Sequence, residues 1–459
     1  MNLKNKLYDC TKIDWDHLPF SNRDLRILLF PLIIEQLLTS LMGMADTMMI
    51  SRIGPAAVSA VSLTDSINVL VIQVFSALAT GGTIICGQYI GHKEKAKSNE
   101  AACQLLMTIT LISLLLAFLC LFSRRSLLSL VFGKVDAEVL ENAIIYFLFS
   151  AVSFPFIALF QAGSAFYRAD GNSRFPMLIS VIANVMNIAG NALFIFVFDW
   201  GVAGAALATL LSRMFCAIIL LFFLRIPRQT IVLTHYFMRP NFQLIWSILA
   251  IGIPSGIENG MFQFGKLAIQ SSVSTLGTTA IAAQAITIVL ESFSGIGGLA
   301  IGIGLMTVVS QCIGAGKKEE AKYYIVKLVA ISEIVVTLTS FFIMAITGLI
   351  TSLAGLEPES AKLCIDMVKF ITVTKPFFWV LSFTTAYGMR AAGDVRFSMI
   401  TSSLSMWLCR VAISVFLIRV MHFGPIAVWI GMASDWAIRS VAYTCRFLSG
   451  KWLQHKVIG

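Results

Sequence analysis

The chain has 459 residues, of which 58% are hydrophobic and only 13% are charged. Soluble domains carry about 25% charged residues, and the mean hydropathy here is +0.85. This excludes a soluble enzyme, a nucleic-acid-binding protein and a disordered scaffold. The net charge of +10 therefore indicates basic loops on the cytoplasmic side of a membrane rather than a nucleic-acid partner.

The chain begins with a mixed-charge segment, residues 1–26, that has no apolar core and so does not resemble a cleavable signal peptide. Its nine cysteines show no CxxC or Cys/His spacing, so we expect small apolar fillers rather than a metal centre.

Twelve stretches further along are long enough to span a bilayer, because a spanning helix needs about 20 apolar residues. The separators between them are short and polar. The sequence therefore predicts an all-α integral membrane protein with twelve transmembrane helices. The stretches are 27–51, 58–90, 101–123, 139–166, 175–198, 202–225, 243–275, 280–313, 324–350, 361–388, 397–420 and 425–448.

Lysine and arginine concentrate in the loops that lie inside if the amino terminus is cytoplasmic. The positive-inside rule then predicts a multi-pass plasma-membrane protein with both termini cytoplasmic. The expected organisation is a cytoplasmic segment, a six-helix bundle, a linker, a second six-helix bundle and a tail, covering residues 1–26, 27–225, 226–242, 243–450 and 451–459.

The two halves of the chain are copies of one unit. The stretch Pro31-Leu-Ile-Ile-Glu35 matches Pro254-Ser-Gly-Ile-Glu258 at an offset of 223, and Arg168–Phe175 matches Arg390–Phe397 at 222. Each copy holds six spans, so both enter the membrane in the same direction. We expect two bundles related by a pseudo-two-fold axis along the membrane normal, with a binding cavity between them.

Ionisable side chains inside the spans are the first functional candidates, because each costs at least about 2.5–3.5 kcal/mol at the bilayer centre. Glu35 and Asp46 lie three turns apart on one stripe of the first span, and Glu258 repeats Glu35. We expect these acids and Glu291 to couple transport to a cation. The structural alternative is that Glu35 and Glu258 bond the backbone carbonyls that Pro31 and Pro254 leave free in their kinked helices.

Further polar residues are candidates for the cavity wall. Asn187 and Asn191 are four apart and share one helix face, although amides in a membrane also hold helices together. Lys266 lies within reach of an ion pair with Glu258. Lys375 and Arg410 are expected to have a structural role, bonded to carbonyls or acids. The predicted cavity residues are Asn184, Asn187, Asn191, Asn68, Asp65 and Lys266.

Several catalytic motifs are absent from the sequence: GxxxxGK[ST], HExxH, GxSxG and a TVGYG-type filter. The chain is therefore not expected to be an enzyme, to hydrolyse ATP or to hold a resident cofactor. Uphill transport would draw on an H⁺ or Na⁺ gradient, with a possible Na⁺ near Asp46 or Glu258 as the one metal.

The order of the motifs resembles the multidrug and toxic compound extrusion (MATE) family over residues 26–450. The resemblance lies in GMADTMMISRIG at 43–54, NIAGNALFIF at 187–196, GVAGAALATLLSR at 201–213, SQCIGAGKKEEAKYY at 310–324 and the paired RADGNSRF and RAAGDVRF loops.

This resemblance implies cation-coupled export of organic, often cationic compounds. The family's first-span acid falls on Asp46 and its fifth-span asparagine on Asn187. Asn191 stands where proton-coupled members often have Asp, and Glu258 represents the seventh-span acid. The tenth-span acid of the sodium-using branch is missing, because Phe377–Leu381 contains no carboxylate.

The sequence thus predicts a monomeric antiporter that exchanges H⁺ or Na⁺ for small, cationic or amphipathic organic molecules by alternating access in a lipid bilayer. Two alternatives stay open, a lipid-linked oligosaccharide flippase of the same wider superfamily and a passive pore or scramblase.

Overall fold

The computed structural model describes residues 7–133, 136–227 and 229–457, with Phe132 described by its backbone alone. All regular secondary structure in these residues is helical, which confirms the predicted all-α fold. The helices of the first half are α1 Asn22–Ser51, α2 Pro55–Gly91, α3 Lys95–Phe132, α4 Ala137–Ala169, α5 Arg174–Asn191 and α6 Gly201–Phe223.

The second half repeats this order with one interruption. Its helices are α7 Phe242–Val273, α8 Thr278–Gly314, α9 Lys318–Leu353, α10 Pro358–Ala391, α11 Val395–Ser405, α12 Ala412–Arg419 and α13 Ile426–Leu448.

Two six-residue π-helices interrupt the regular α-helical geometry. The first, Ala192–Val197, extends α5, and the second, Met406–Val411, joins α11 to α12 into the eleventh span. Such π segments are often found at functional sites. Here each one begins beside a polar side chain or contains one.

Nine helical segments of the described residues are long and apolar enough to cross a membrane. Helices α7, α10 and α13 have spanning length but are more polar and fall outside this set. With them, the described residues supply the twelve predicted spans.

The same local signals start and bend the helices of both halves. Gly54 precedes α2 with φ +148° and Gly277 precedes α8 with φ +89°, both in the region that favours glycine. Pro31 and Pro254 lie inside α1 and α7 at matching repeat positions. Each proline removes one i→i−4 hydrogen bond and favours a bend.

The helices group into two compact units. One unit is Arg26–Gly256. The other consists of the residues up to Leu25 together with those from Ile257 onward. The boundaries therefore lie inside α1 and α7. The sequence-based boundaries at 225 and 243 stay predictions.

Small residues allow close helix contacts inside each unit, as is usual in membrane bundles. In the Arg26–Gly256 unit, a Cβ on Gly163 of α4 would lie 1.7 Å from Leu220 of α6. In the other unit, a Cβ on Gly298 of α8 would lie 2.5 Å from the Trp379 ring of α10. Neither glycine tolerates a side chain without movement of its neighbour.

The residues before α1 form an ordered arm, defined here as residues 7–21, that packs on α9. The Tyr324 hydroxyl accepts from the Phe20 N–H at 3.0 Å and donates to the Phe20 carbonyl at 2.6 Å. The Asp9 N–H donates to Glu319 at 2.9 Å, and the Trp15 ring lies edge-on to Tyr323. The Thr11 hydroxyl, followed by its N–H, holds the pKa of Asp9 below the usual range.

Candidate cation-coupling site

One carboxylate in the Arg26–Gly256 unit is surrounded by amides. The Asn191 side chain of α5 donates to Asp46 of α1 at 2.7 Å and to the Asn187 oxygen at 3.2 Å. Asn187 lies 3.0 Å from the Thr209 hydroxyl of α6. Exchanging the Asn187 amide oxygen and nitrogen brings its NH₂ within 2.9 Å of Asp46. We call these four residues the Asp46 cluster.

The Asp46 cluster offers oxygen atoms without an opposing charge at close range. No ion pair among the described residues includes Asp46, which is half-buried, and Asn191 and Asn187 are buried. The Asn191 Oδ1 is buried and has no hydrogen-bond partner. A carboxylate with amide and hydroxyl oxygens suits either a proton or a hard cation such as Na⁺.

The cluster differs from a conventional metal centre. In the part of the chain that the structure describes, no group of three or more His, Cys, Asp or Glu side chains is placed to hold a metal ion. Asp46 is the one carboxylate of this set, and the amides that face it do so through their NH₂ groups. Such a set gives weaker binding than several carboxylates do, which suits an ion that must also be released.

A second polar group of the same unit surrounds Asn68 on α2. Its NH₂ donates to Asp65 at 3.1 Å and to the Ser150 hydroxyl of α4 at 3.2 Å. Asp65 and Asp46 are within electrostatic range of each other and of Arg213 on α6. Two of the predicted cavity residues therefore lie near the Asp46 cluster.

Asn184 is not part of either group. It lies one turn before Asn187 and is half-buried. Among the described residues, no hydrogen bond of the Asp46 cluster involves its side chain.

The other three predicted coupling acids are all neutralised by a basic partner. Glu35 pairs with Arg168 at 2.7 Å, and Glu258 pairs with Arg390 at 2.7 Å. Glu291 of α8 pairs with Lys375 of α10 at 2.7 Å. These pairs leave Asp46 as the predicted coupling acid whose direct partners are uncharged.

The first two ion pairs are copies of one another. Glu35 and Arg168 belong to the first and fourth helices of the first repeat, and Glu258 and Arg390 to the corresponding helices of the second. Ser398 adds a hydrogen bond to Glu258 at 3.3 Å. The ion pair between Glu258 and Lys266 that the sequence suggested does not form, because Arg390 takes that position.

Sequence reasoning missed several partners of these residues. The sequence pattern predicts loops at RADGNSRF and RAAGDVRF, yet Arg168 and Arg390 both lie in the last turn of a helix. The available signal was the joint recurrence of glutamate and arginine at nearly one offset. Thr209 gave no signal, because hydroxyl residues are common in membrane helices.

Comparison with known proteins identifies the family. A family model described as MatE matches residues 31–193 and again residues 254–416. The chain belongs to the MATE family. The two matches start 223 residues apart, which confirms the duplication, and MATE proteins are multi-pass membrane transporters rather than enzymes.

Relatives and solved structures cover almost the whole chain. A probable multidrug resistance protein NorM from Thermotoga maritima is 27% identical, with 96% of each chain covered. Multidrug and toxin extrusion protein 2 from Mus musculus is 24% identical over 92% of this chain and 73% of its own. A crystal structure of MATE in complex with MaL6 shares the fold with a TM-score of 0.86, at 20% identity and 97% coverage of both chains.

Proposed function

We propose that this MATE protein is a secondary active exporter that exchanges H⁺ or Na⁺ for organic compounds by alternating access. The observation that supports this most directly is the Asp46 cluster, where a half-buried carboxylate contacts amides and has no ion-pair partner among the described residues. The names of the relatives, multidrug resistance and multidrug and toxin extrusion, support small organic compounds as cargo.

The coupling follows from competition for one negative charge. Desolvation disfavours an unpaired carboxylate, so Asp46 is stabilised when it holds a proton, a Na⁺ or a cationic cargo group. An inward-moving cation that occupies Asp46 excludes a cationic cargo from the same carboxylate. A ligand shifts a conformational equilibrium only by its differential affinity for the two states, and alternate neutralisation of Asp46 supplies that difference.

The remaining acids have a different role in this proposal. Glu35, Glu258 and Glu291 keep their basic partners throughout the cycle and brace the helices. We further propose a monomer in the cell membrane, with both termini cytoplasmic. The driving force is the ion gradient, and no resident cofactor takes part.

The test is dye export by purified protein in liposomes with an imposed pH or Na⁺ gradient. Asp46→Asn keeps the hydrogen-bonding geometry and removes the charge, so we expect gradient-driven export to stop. Asp366→Asn is the matched control, since Asp366 is exposed and its one ion pair among the described residues is with Lys369 at 3.5 Å. Full gradient-driven export by Asp46→Asn would refute the assignment.

The same assay separates an antiporter from a passive pore. In the antiporter, dissipating both gradients with ionophores abolishes uphill accumulation of the dye. Equal flux with and without gradients would instead identify a passive pathway.

A further inference from the structure

The unit that contains Ile257–Gly459 holds a buried excess of positive charge. Arg410, Asp435 and Arg439 are 2%, 0% and 1% exposed, and all three lie in helical spans, well away from the ends. The two guanidinium groups share one carboxylate. Lys375 does not contribute to the excess, because Glu291 neutralises it.

The shared carboxylate satisfies only part of the two guanidinium groups. Arg410 Nη2 lies 2.9 Å from Asp435 Oδ2, whereas Arg439 Nη1 lies 4.0 Å from the same oxygen. The Nε atoms of both arginines are buried and have no hydrogen-bond acceptor among the described residues. Buried N–H groups without acceptors are costly, and guanidinium N–H groups pair best with planar oxyanions.

Aromatic faces cover these cations without supplying acceptors. The Phe262 ring centroid of α7 lies 4.9 Å from the Arg410 guanidinium and 5.4 Å from that of Arg439. The Phe383 ring of α10 lies 4.4 Å from Arg439. Ring faces attract the positive charge, but the in-plane Nε–H groups still lack an oxygen.

A third cation extends this region towards the surface of the unit. Lys266 follows Phe262 by one turn on α7, has an exposed side chain, and is within electrostatic range of Arg410. Glu291 is also within electrostatic range of Lys266 and Arg410. Counting Glu291 and its partner Lys375, four basic side chains here face two carboxylates. A purely structural ion pair with Asp435 requires only one basic side chain.

The repeat shows that this is the position of the Asp46 cluster with its charge reversed. The matched segments 31–193 and 254–416 correspond at an offset of 223, and Ile195, Val197 and Gly201 recur at that offset as Ile418, Val420 and Gly424. Arg410 therefore corresponds to Asn187. Where the first repeat places an amide beside an acid, the second places an arginine.

We propose that Arg410, Arg439 and Lys266 form an anion-binding site that takes a carboxylate or phosphate group. It deepens the proposed function, on which it rests, by assigning the cargo an anionic group beside its apolar or cationic part. The oxyanion pairs with the free N–H groups of the two arginines, and Phe262 packs against the body of the molecule. Lys266 attracts the anion from the exposed side.

The first test needs no variant. Purified full-length protein in phosphatidylcholine nanodiscs is titrated, without any ion gradient, with tetramethylrhodamine free acid and with its methyl ester, which differ only in the carboxylate. We expect the acid to bind about tenfold more tightly, as a charge-assisted bidentate contact provides. Equal affinity for acid and ester would overturn the proposal.

Variants then locate the preference. Arg410→Gln and Arg439→Gln should each bring the acid-to-ester affinity ratio close to one. Arg439→Lys should keep part of the preference for the acid. Lys266→Gln should reduce that preference without risk to folding, because Lys266 is exposed. Arg419→Gln is the matched control, because Arg419 is an exposed arginine at the far end of the same span. An unchanged acid-to-ester affinity ratio in Arg410→Gln, Arg439→Gln and Lys266→Gln would contradict the site.

Two further measurements test whether a lipid headgroup uses this site and whether the site is independent of Asp46. If a lipid headgroup uses the same site, adding phosphatidylglycerol to the nanodiscs weakens binding of the acid to the parent protein but not to Arg439→Gln. If phosphatidylglycerol does not compete, the anion comes from the cargo. Asp46→Asn should retain the acid preference, because equilibrium binding needs no coupling. Loss of export with retained preference therefore separates this inference from the proposed function.

Discussion

At the scale of single residues, Asp46 differs from the other membrane acids in what surrounds it. Glu258 has an arginine at 2.7 Å and gains little from a further cation. In the part of the chain that the structure describes, Asp46 has only the Asn191 amide at the same distance. An amide stabilises a charge less than a guanidinium does, so the free energy of binding a proton or Na⁺ stays available at Asp46.

This difference predicts the behaviour of two Asn191 variants. Asn191→Leu removes the donor to Asp46 and the unpartnered oxygen, so gradient-driven export should fall by about tenfold or more, the equivalent of one lost hydrogen bond to a charged group. Asn191→Asp keeps an oxygen ligand and should retain export. The measurement is the initial rate of dye export from liposomes at equal protein content. Equal activity of the leucine variant would show that Asn191 is only helix packing.

The sequence could predict Asp46, Asn187 and Asn191 because acids and closely spaced amides are rare in apolar stretches. It could not predict Thr209, whose hydroxyl also bonds its own helix at the Ala205 carbonyl. For the partner of Glu258 it offers only the joint recurrence of glutamate and arginine in the two repeats, because Arg390 is 132 residues away. Only the packed bundle decides which of several distant basic residues reaches a given acid.

At the scale of elements, the duplicated ion pair joins the first helix of each repeat to the end of its fourth. Both glutamates are buried, and both arginines are mostly covered. Duplication preserved both partners, which indicates that the pair stabilises the repeat as a unit. Breaking such a pair on one side leaves an uncompensated buried charge.

Glu258→Gln should therefore lower the free energy of unfolding by about 3–5 kcal/mol. The double variant Glu258→Gln/Arg390→Gln should lose less, because no unpaired guanidinium is left. Thermal unfolding in detergent measures both variants and the Arg390→Gln single variant, with Asp366→Asn as the exposed control. If the double variant were as unstable as the sum of its single changes, the two side chains would not be energetically coupled.

The arm makes a separate prediction for α9. Tyr324→Phe removes the hydroxyl that bonds both the N–H and the carbonyl of Phe20, at an expected loss of about 1–3 kcal/mol for the buried groups left unpaired. Protease cleavage within residues 7–21 should then become faster. Tyr323→Phe is the control, since it keeps the ring that contacts Trp15. Unchanged cleavage in Tyr324→Phe would mean that the ring contacts alone hold the arm.

At the scale of the whole molecule, the two unit boundaries lie close to repeat-related prolines. One boundary follows Leu25, within two turns of Pro31, and the other follows Gly256, within one turn of Pro254. The prolines and the repeat are visible in the sequence. The boundaries are not, because they depend on how the parts of α1 and α7 on either side of them pack in the folded chain.

A proline within a turn of a unit boundary is where a helix bends most easily, because one backbone hydrogen bond is absent there. Pro254→Ala restores an N–H that can donate to the Ala250 carbonyl, four residues earlier, and should stiffen α7. If bending of α7 accompanies transport, turnover falls about tenfold, as an added barrier of about 1.4 kcal/mol requires, while equilibrium binding of tetramethylrhodamine is unchanged. Pro55→Ala is the matched control, since Pro55 is in the first turn of α2, where no such bond is missing. Unaltered turnover in Pro254→Ala would show that α7 moves as a rigid helix.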